Sequence, residues 1–211
     1  MAVRKPWDIP PIPKRGDSEE NITFESVGRA LTGWEIFEIE LSRLFSSLTG
    51  TGDGTIASIR AYGSVLTFRG RAEMIEAAAS VHFSLLPDKD FEKAMKDLLT
   101  AGARYAARRN EIAHGVVQEI AEQEFALCPP EYATKKTAVD RLRIDGDALL
   151  RPRYIYTSKE INEFGERFRN LAPAAAIVTR GVLDHKVLRS QRIALTRRLL
   201  RRTDAPSKAK R

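Results

Sequence analysis

Apolar residues recur at spacings of three and four along most of this chain, the signature of helices that bury one face. Val27, Leu31, Trp34, Phe37, Leu41, Leu44, Phe45 and Leu48 form the first stripe, which predicts a helix from Ser18 or Asn21 to Leu48. The run Gly50-Thr51-Gly52-Asp53-Gly54 ends it as a loop. A second helix is expected from Thr55 to Leu86 on Ile59, Tyr62, Leu66, Ala72, Ile75, Ala79, His82 and Phe83, weakened at Gly63 and Gly70 and stopped by Pro87. A third starts near Asp88 or Asp90, with acids where the helix dipole favours them. It carries Phe91, Met95, Leu98, Gly102 and Tyr105 on one face, and Gly115 is its candidate C-terminal cap.

The period then changes. Val116–Ile120 and Glu124–Cys128 read as two short strands around Glu122-Gln123, closed by Pro129-Pro130. Residues 131 to 152 read as polar and irregular, and Arg153–Tyr156 as a third short strand with Tyr154 and Tyr156 on one face. Thr157-Ser158-Lys159-Glu160 resembles a capping box. The helix it opens shows Ile161, Phe164, Phe168 and Leu171, contains Pro173, and continues towards Leu183. A last helix, His185 to Arg202, combines Val187, Leu188, Ile193, Leu195, Leu199 and Leu200 with six arginines. The expected fold is mainly α: an antiparallel helical bundle with a small β insertion and a basic C-terminal helix. Pro6, Pro10, Pro11 and Pro13 make residues 1–17 an extended arm. Residues 18–184 form the helical domain, with strands near 116–128 and 153–156. The basic helix spans 185–202, and 203–211 is expected to be a disordered tail.

Composition narrows the class. With 211 residues and 43% apolar content the chain can bury a core. No apolar run reaches the roughly 20 residues of a membrane span, and no apolar segment of a secretory signal is present. A single cysteine, Cys128, supports neither a disulfide framework nor a cysteine zinc site, and His82, His114 and His185 lack metal-ligand spacing. The phosphate-cradling GxGxxG and GxxxxGK[ST] loops are missing. The chain reads as a soluble, cytoplasmic protein that needs no cofactor. Its net charge of +7 is uneven. From His185 onward ten Lys/Arg face one acid, Asp204, a local +9; residues 1–15 carry +3; the remainder carries −5. A basic helix can hold nucleic acid, an acidic partner or a membrane surface, or simply solvate its arginines.

One constellation carries chemistry: Arg109-Asn110-Glu111-Ile112-Ala113-His114-Gly115, at the end of a long amphipathic helix. The string Arg-Asn-x-x-Ala-His-Gly resembles the Arg-x4–6-His motif of the HEPN superfamily, which implies RNA cleavage. Attack of a ribose 2′-OH on its neighbouring phosphate needs a proton acceptor and a cation for the charge that gathers on phosphate oxygens. Histidine suits the first role and the planar, permanently charged arginine the second. Asn110 can orient the imidazole or contact phosphate. At 100° per residue Asn110 and His114 lie about 40° apart, but Arg109 and His114 about 140°. A straight helix does not aim those two at one point, so either the helix ends between them or a second chain completes the site. The same residues also admit a structural reading, with Arg109 buried or interfacial and paired to Glu111 or to an acid elsewhere, and His114 favoured by the helix dipole.

The helices before the motif also look like a HEPN bundle. The resemblance implies a HEPN-like, metal-independent endoribonuclease in which Arg109, Asn110 and His114 are catalytic. It also implies a homodimer with facing motifs, RNA as substrate, and a toxin-antitoxin or defence-like setting with an antitoxin-like partner protein. Arg104 and Arg108 beside the motif, and Arg189, Arg192, Arg197 and Arg198 on the last helix, are the expected nucleic-acid contacts. The alternative is a non-catalytic HEPN-like module that binds a nucleotide, a nucleic acid or a partner protein. His82 is expected as a core or interface histidine and Cys128 as a buried small hydrophobe.

Overall fold

The computed structural model describes residues 4–50, 56–133, 139–144, 147–183 and 186–204. It is mainly helical, a helical bundle in which α1 (Glu20–Leu48), α2 (Ile56–Ser64), α3 (Phe68–Leu85), α4 (Lys89–His114), α5 (Ser158–Leu183) and α6 (Lys186–Asp204) account for most residues. Two antiparallel hairpins interrupt the helices: β1 (Val116–Ala121) with β2 (Glu124–Cys128), and β3 (Val139–Ile144) with β4 (Asp147–Pro152). Among the described residues no helix is long and apolar enough to cross a membrane.

The chain divides into two compact units, one of residues 1–32 and 107–166, the other of 33–106 and 167–211. The second unit is built on aromatic packing. Trp34 meets Phe37, Phe68 and Phe168 edge-on at centroid distances of 5.5, 5.3 and 5.2 Å. Buried within it is a carboxylate, Glu38, which accepts from Trp34 Nε1 at 3.1 Å and Tyr62 OH at 2.6 Å, and pairs with Arg71 at 3.2 Å. The buried charge is thus both paired and hydrogen-bonded, as its desolvation requires.

This cluster bears on the helix expected from Thr55 to Leu86, which is in fact two. The chain leaves helix at Val65, exposes Leu66 almost completely, and restarts with Thr67 as an N-cap accepting from Gly70 N–H at 3.1 Å. Arg71 seals the break by donating to the Val65 carbonyl at 2.8 Å. Gly70 thus belongs to a helix start, where a Cβ would lie 2.8 Å from the Val65 side chain.

In the first unit the arm is tied down at Asp17, which forms an isolated bridge with Phe125 through two backbone hydrogen bonds of 2.7 and 2.8 Å. Leu127 forms a matching pair with Tyr156, at 2.8 and 2.9 Å. One edge of β2 therefore carries β1 while Asp17 and Tyr156 cover the other. The third strand expected at Arg153–Tyr156 reduces to this single bridge. Residues 131–152, expected to be irregular, contain the β3–β4 hairpin. Thr157 and Glu160 form half of a capping box: Glu160 accepts from the Thr157 N–H at 3.0 Å and from its hydroxyl. The other cap of α5 comes from Asp17, whose carboxylate accepts the Ser158 N–H and hydroxyl, both at 2.7 Å. α5 runs unbroken through Pro173. α6 continues to Asp204, so Thr203 and Asp204 belong to a helix rather than to a tail; the expected loop at 51–54, His185 and residues 205–211 lie outside the described residues.

Candidate functional site

The last two turns of α4 present two different faces. Arg108, Glu111 and Ile112 point inward. Arg108 is buried; its Nη2 donates to Glu111 Oε1 at 2.5 Å and its Nη1 to the Trp7 carbonyl at 3.4 Å. Glu111 Oε2 accepts from the hydroxyl of fully buried Tyr156 at 2.5 Å. Tyr156 stacks on Tyr154 at 5.0 Å and meets Phe164 edge-on at 5.7 Å. Tyr154 and Tyr156 do share a face, and it is turned into the core.

Burial is the main influence on this cluster. It pushes the Glu111 carboxyl above its ordinary range, a rise that the Tyr156 hydrogen bond and the Arg108 charge only partly offset. The Tyr154 phenol is pushed up to about 12, by burial first and the Glu111 charge second. Cys128, a buried free thiol at the end of β2, is likewise raised by burial. The cluster is a strut that joins α4, the arm and the segment before α5.

The outward face carries the motif. Asn110 and His114 lie one turn apart on it, both exposed, and Arg109 is half-buried between the two faces. The Nη1 of Arg109 donates to Asn110 Oδ1 at 3.2 Å. The guanidinium thereby reaches the neighbouring Asn110 on the outward face. α4 itself continues through His114, so the helix does not end between the two residues.

Gly115 follows at once, and its role differs from the expected cap. The left-handed conformation that favours a glycine cap occurs at Gly50 and, among non-glycine residues, at Gln123 in the β1–β2 turn, but not at Gly115. A Cβ on Gly115 would lie 2.7 Å from the Leu127 side chain and 2.9 Å from the Glu111 carbonyl. Glycine is needed there because the chain passes directly against β2 as it leaves the helix.

Of the expected nucleic-acid contacts, Arg108 is committed to Glu111 and Trp7 on the inward face. Arg104 is half-exposed and lies 3.5 Å from Asp204. On α6, Arg192 is half-buried, Arg197 pairs with Asp90 at 3.2 Å, and Arg198 is exposed; the side chain of Arg189 lies outside the described residues. The structure thus brings Arg109 and Asn110 together beside His114 and places the arginines of α6 in the other unit. Glu111 and Tyr156 do not stand out in the sequence. Their signal is the i, i+3 spacing of Arg108 and Glu111, which faces the two together where the i, i+2 spacing of Arg109 and Glu111 does not. His82, expected in the core or at an interface, is half-buried and sits edge-on to Phe83 at 5.2 Å.

No family profile, curated protein or solved structure matches the chain.

Proposed function

We propose that the chain is an RNA endonuclease of the HEPN-like type, acting through Arg109, Asn110 and His114. The observation that carries the reading is the Arg109–Asn110 contact at 3.2 Å beside a solvent-accessible His114 one turn further along the helix. In the proposed reaction His114 takes the proton of a ribose 2′-OH. The 2′-oxygen then bonds to the adjacent phosphorus and the bond to the 5′-oxygen breaks. This leaves a 2′,3′-cyclic phosphate and a 5′-OH whose proton returns from the imidazolium or from water. Arg109 stabilises the charge that builds on the phosphate oxygens, and Asn110 holds the guanidinium in place. Because α4 does not end between Arg109 and His114, the reading includes a second copy of the chain, so that the arginine of one protomer serves the histidine of the other.

The test incubates purified protein with total RNA, with and without EDTA, beside Arg109→Ala and His114→Ala. The expected result is cleavage that persists in EDTA and falls at least ~100-fold in both variants, the usual scale for losing a general base or a charge-stabilising donor. Undiminished cleavage by His114→Ala removes the role assigned to His114. A wild type that binds RNA without cutting it favours the non-catalytic binding module.

A further inference from the structure

α6 is fastened to the body by one face and leaves the opposite face unpaired. Ile193, Thr196, Leu200 and Thr203 are buried. Three polar links bind the helix to α4: Tyr105 OH donates to the Thr203 carbonyl at 2.7 Å, Arg104 reaches Asp204 at 3.5 Å, and Arg197 reaches Asp90 at 3.2 Å. Tyr105 is fully buried, so the first of these is shielded from water. The helix is a fixed platform, not a loose appendage.

On the outer face stand Arg198, Arg201 and Arg202, beside Gln191 and Ala194; Arg201 and Arg202 are exposed and all three guanidinium-bearing side chains reach solvent. Among the described residues no acid pairs with any of the three, and the one hydrogen bond they make runs from Arg201 Nε to the Arg197 carbonyl. Arg198 and Arg202 are one turn apart, about 6 Å along the axis, a step of the order of that between successive phosphates in a nucleic-acid strand. Guanidinium groups suit phosphate because their planar fork donates to two oxygens at once. A membrane surface fits less well. The apolar stripe that would enter the lipid is already packed on the protein, and Leu195, 45% exposed, is the one large apolar side chain on the outer face among the described residues.

We propose that Arg198, Arg201 and Arg202 on the outer face of α6 grip the phosphate backbone of RNA. The choice of RNA rests on the endonuclease reading, whereas the platform and its unpaired charge do not. The interaction reads backbone and not bases, so it adds affinity and salt dependence without sequence preference.

The test measures binding of a fluorescein-labelled single-stranded RNA by anisotropy across a salt range of roughly 50–300 mM, where phosphate binding is most salt-sensitive. It is done in His114→Ala protein so that cleavage does not intrude. Replacing Arg198, Arg201 and Arg202 together by Ala is expected to lower affinity about tenfold or more at low salt. It should also flatten the slope of log affinity against log salt by about 2, at ~0.7 for each phosphate left unneutralised. The triple Lys replacement is expected to restore most of the slope. If the alanine protein does not fold, as judged by its thermal midpoint, the triple Gln replacement is read in the same way. Unchanged affinity and slope overturn the proposal, as does binding to polyglutamate or to phosphatidylserine vesicles without binding to RNA. A wild type that cuts no RNA while the triple variant loses its salt-dependent binding defeats the endonuclease reading and leaves α6 as a phosphate-binding face.

Discussion

At the residue scale the motif helix uses its charges in two ways. Arg109 stays near the surface with Asn110, whereas Arg108 is sunk against Glu111 with Tyr156 beneath. Glu111→Ala is expected to cost about 3–5 kcal/mol, because it strands the buried guanidinium of Arg108 without its carboxylate. Glu111→Gln keeps an acceptor oxygen for the Tyr156 hydroxyl or for Arg108 but loses the charge, so it is expected to cost less than Glu111→Ala, ~1–3 kcal/mol. Urea midpoints at constant slope measure both. The pH dependence follows from the raised pKa of Glu111. A carboxyl raised in the folded state contributes stability below its unfolded value, and that contribution is lost as pH rises through the folded value. Wild-type stability is therefore expected to decline relative to Glu111→Gln as pH rises from 4.5 through the raised value. The residue types at this site were legible in the sequence, since Arg109, Asn110 and His114 announce themselves by kind and spacing. Their side-chain partners were not. Arg108 and Arg109 are adjacent and identical in chemistry; the i, i+3 spacing singles out Arg108 as the partner of Glu111, and the packing around Tyr156 shows that this pair goes inward.

At the element scale, long helices were readable because each must bury a continuous stripe, and α1, α4 and α5 fall within a few residues of the ends that their stripes imply. What escaped is local. The break at residues 65–67 depends on Thr67 finding the Gly70 N–H and on Arg71 finding the Val65 carbonyl, bonds that no periodicity records. The β3–β4 hairpin had a signal in Asp145-Gly146, a favoured two-residue hairpin pair, but its strands do not alternate cleanly, since Leu149 and Leu150 are neighbours. Two substitutions probe the element contacts. Asp17→Ala removes three hydrogen bonds at once, from Thr23 Oγ1 and from the Ser158 N–H and hydroxyl, and so uncaps α5. The expected loss is ~1–2 kcal/mol in a denaturant melt. Gly102→Ala would place a Cβ 2.6 Å from the Phe68 ring and 3.0 Å from Phe37. Glycine-to-alanine usually favours a helix by about 1 kcal/mol. Here the overpacking of the aromatic core is expected to outweigh that gain, for a net destabilisation of ~1–2 kcal/mol by the same melt.

At the scale of the whole molecule the charge of +7 resolves into basic ends and an acidic remainder. The proposed affinity for a polyanion and the proposed chemistry on it would therefore fall to different parts of the chain. The chemistry raises a question of stoichiometry. Arg109 and His114 lie about 140° apart on a helix that continues through both. In the proposed site a two-fold pairing of chains would put the same surface patch against itself and so bring the arginine of each protomer to the histidine of the other. The consequence is complementation. Arg109→Ala and His114→Ala proteins, each inactive alone, are mixed, unfolded and refolded together. Random assembly makes about half the dimers mixed. In a mixed dimer one composite site has both wild-type residues and the other has neither, so about one quarter of wild-type cleavage is expected to return. Were Arg109 and His114 of one chain to act together, every site in the mixture would lack one of the two and no activity would return. Light scattering on the same samples supplies the independent reading: a strict monomer at micromolar concentration excludes the composite site whatever the cleavage assay shows.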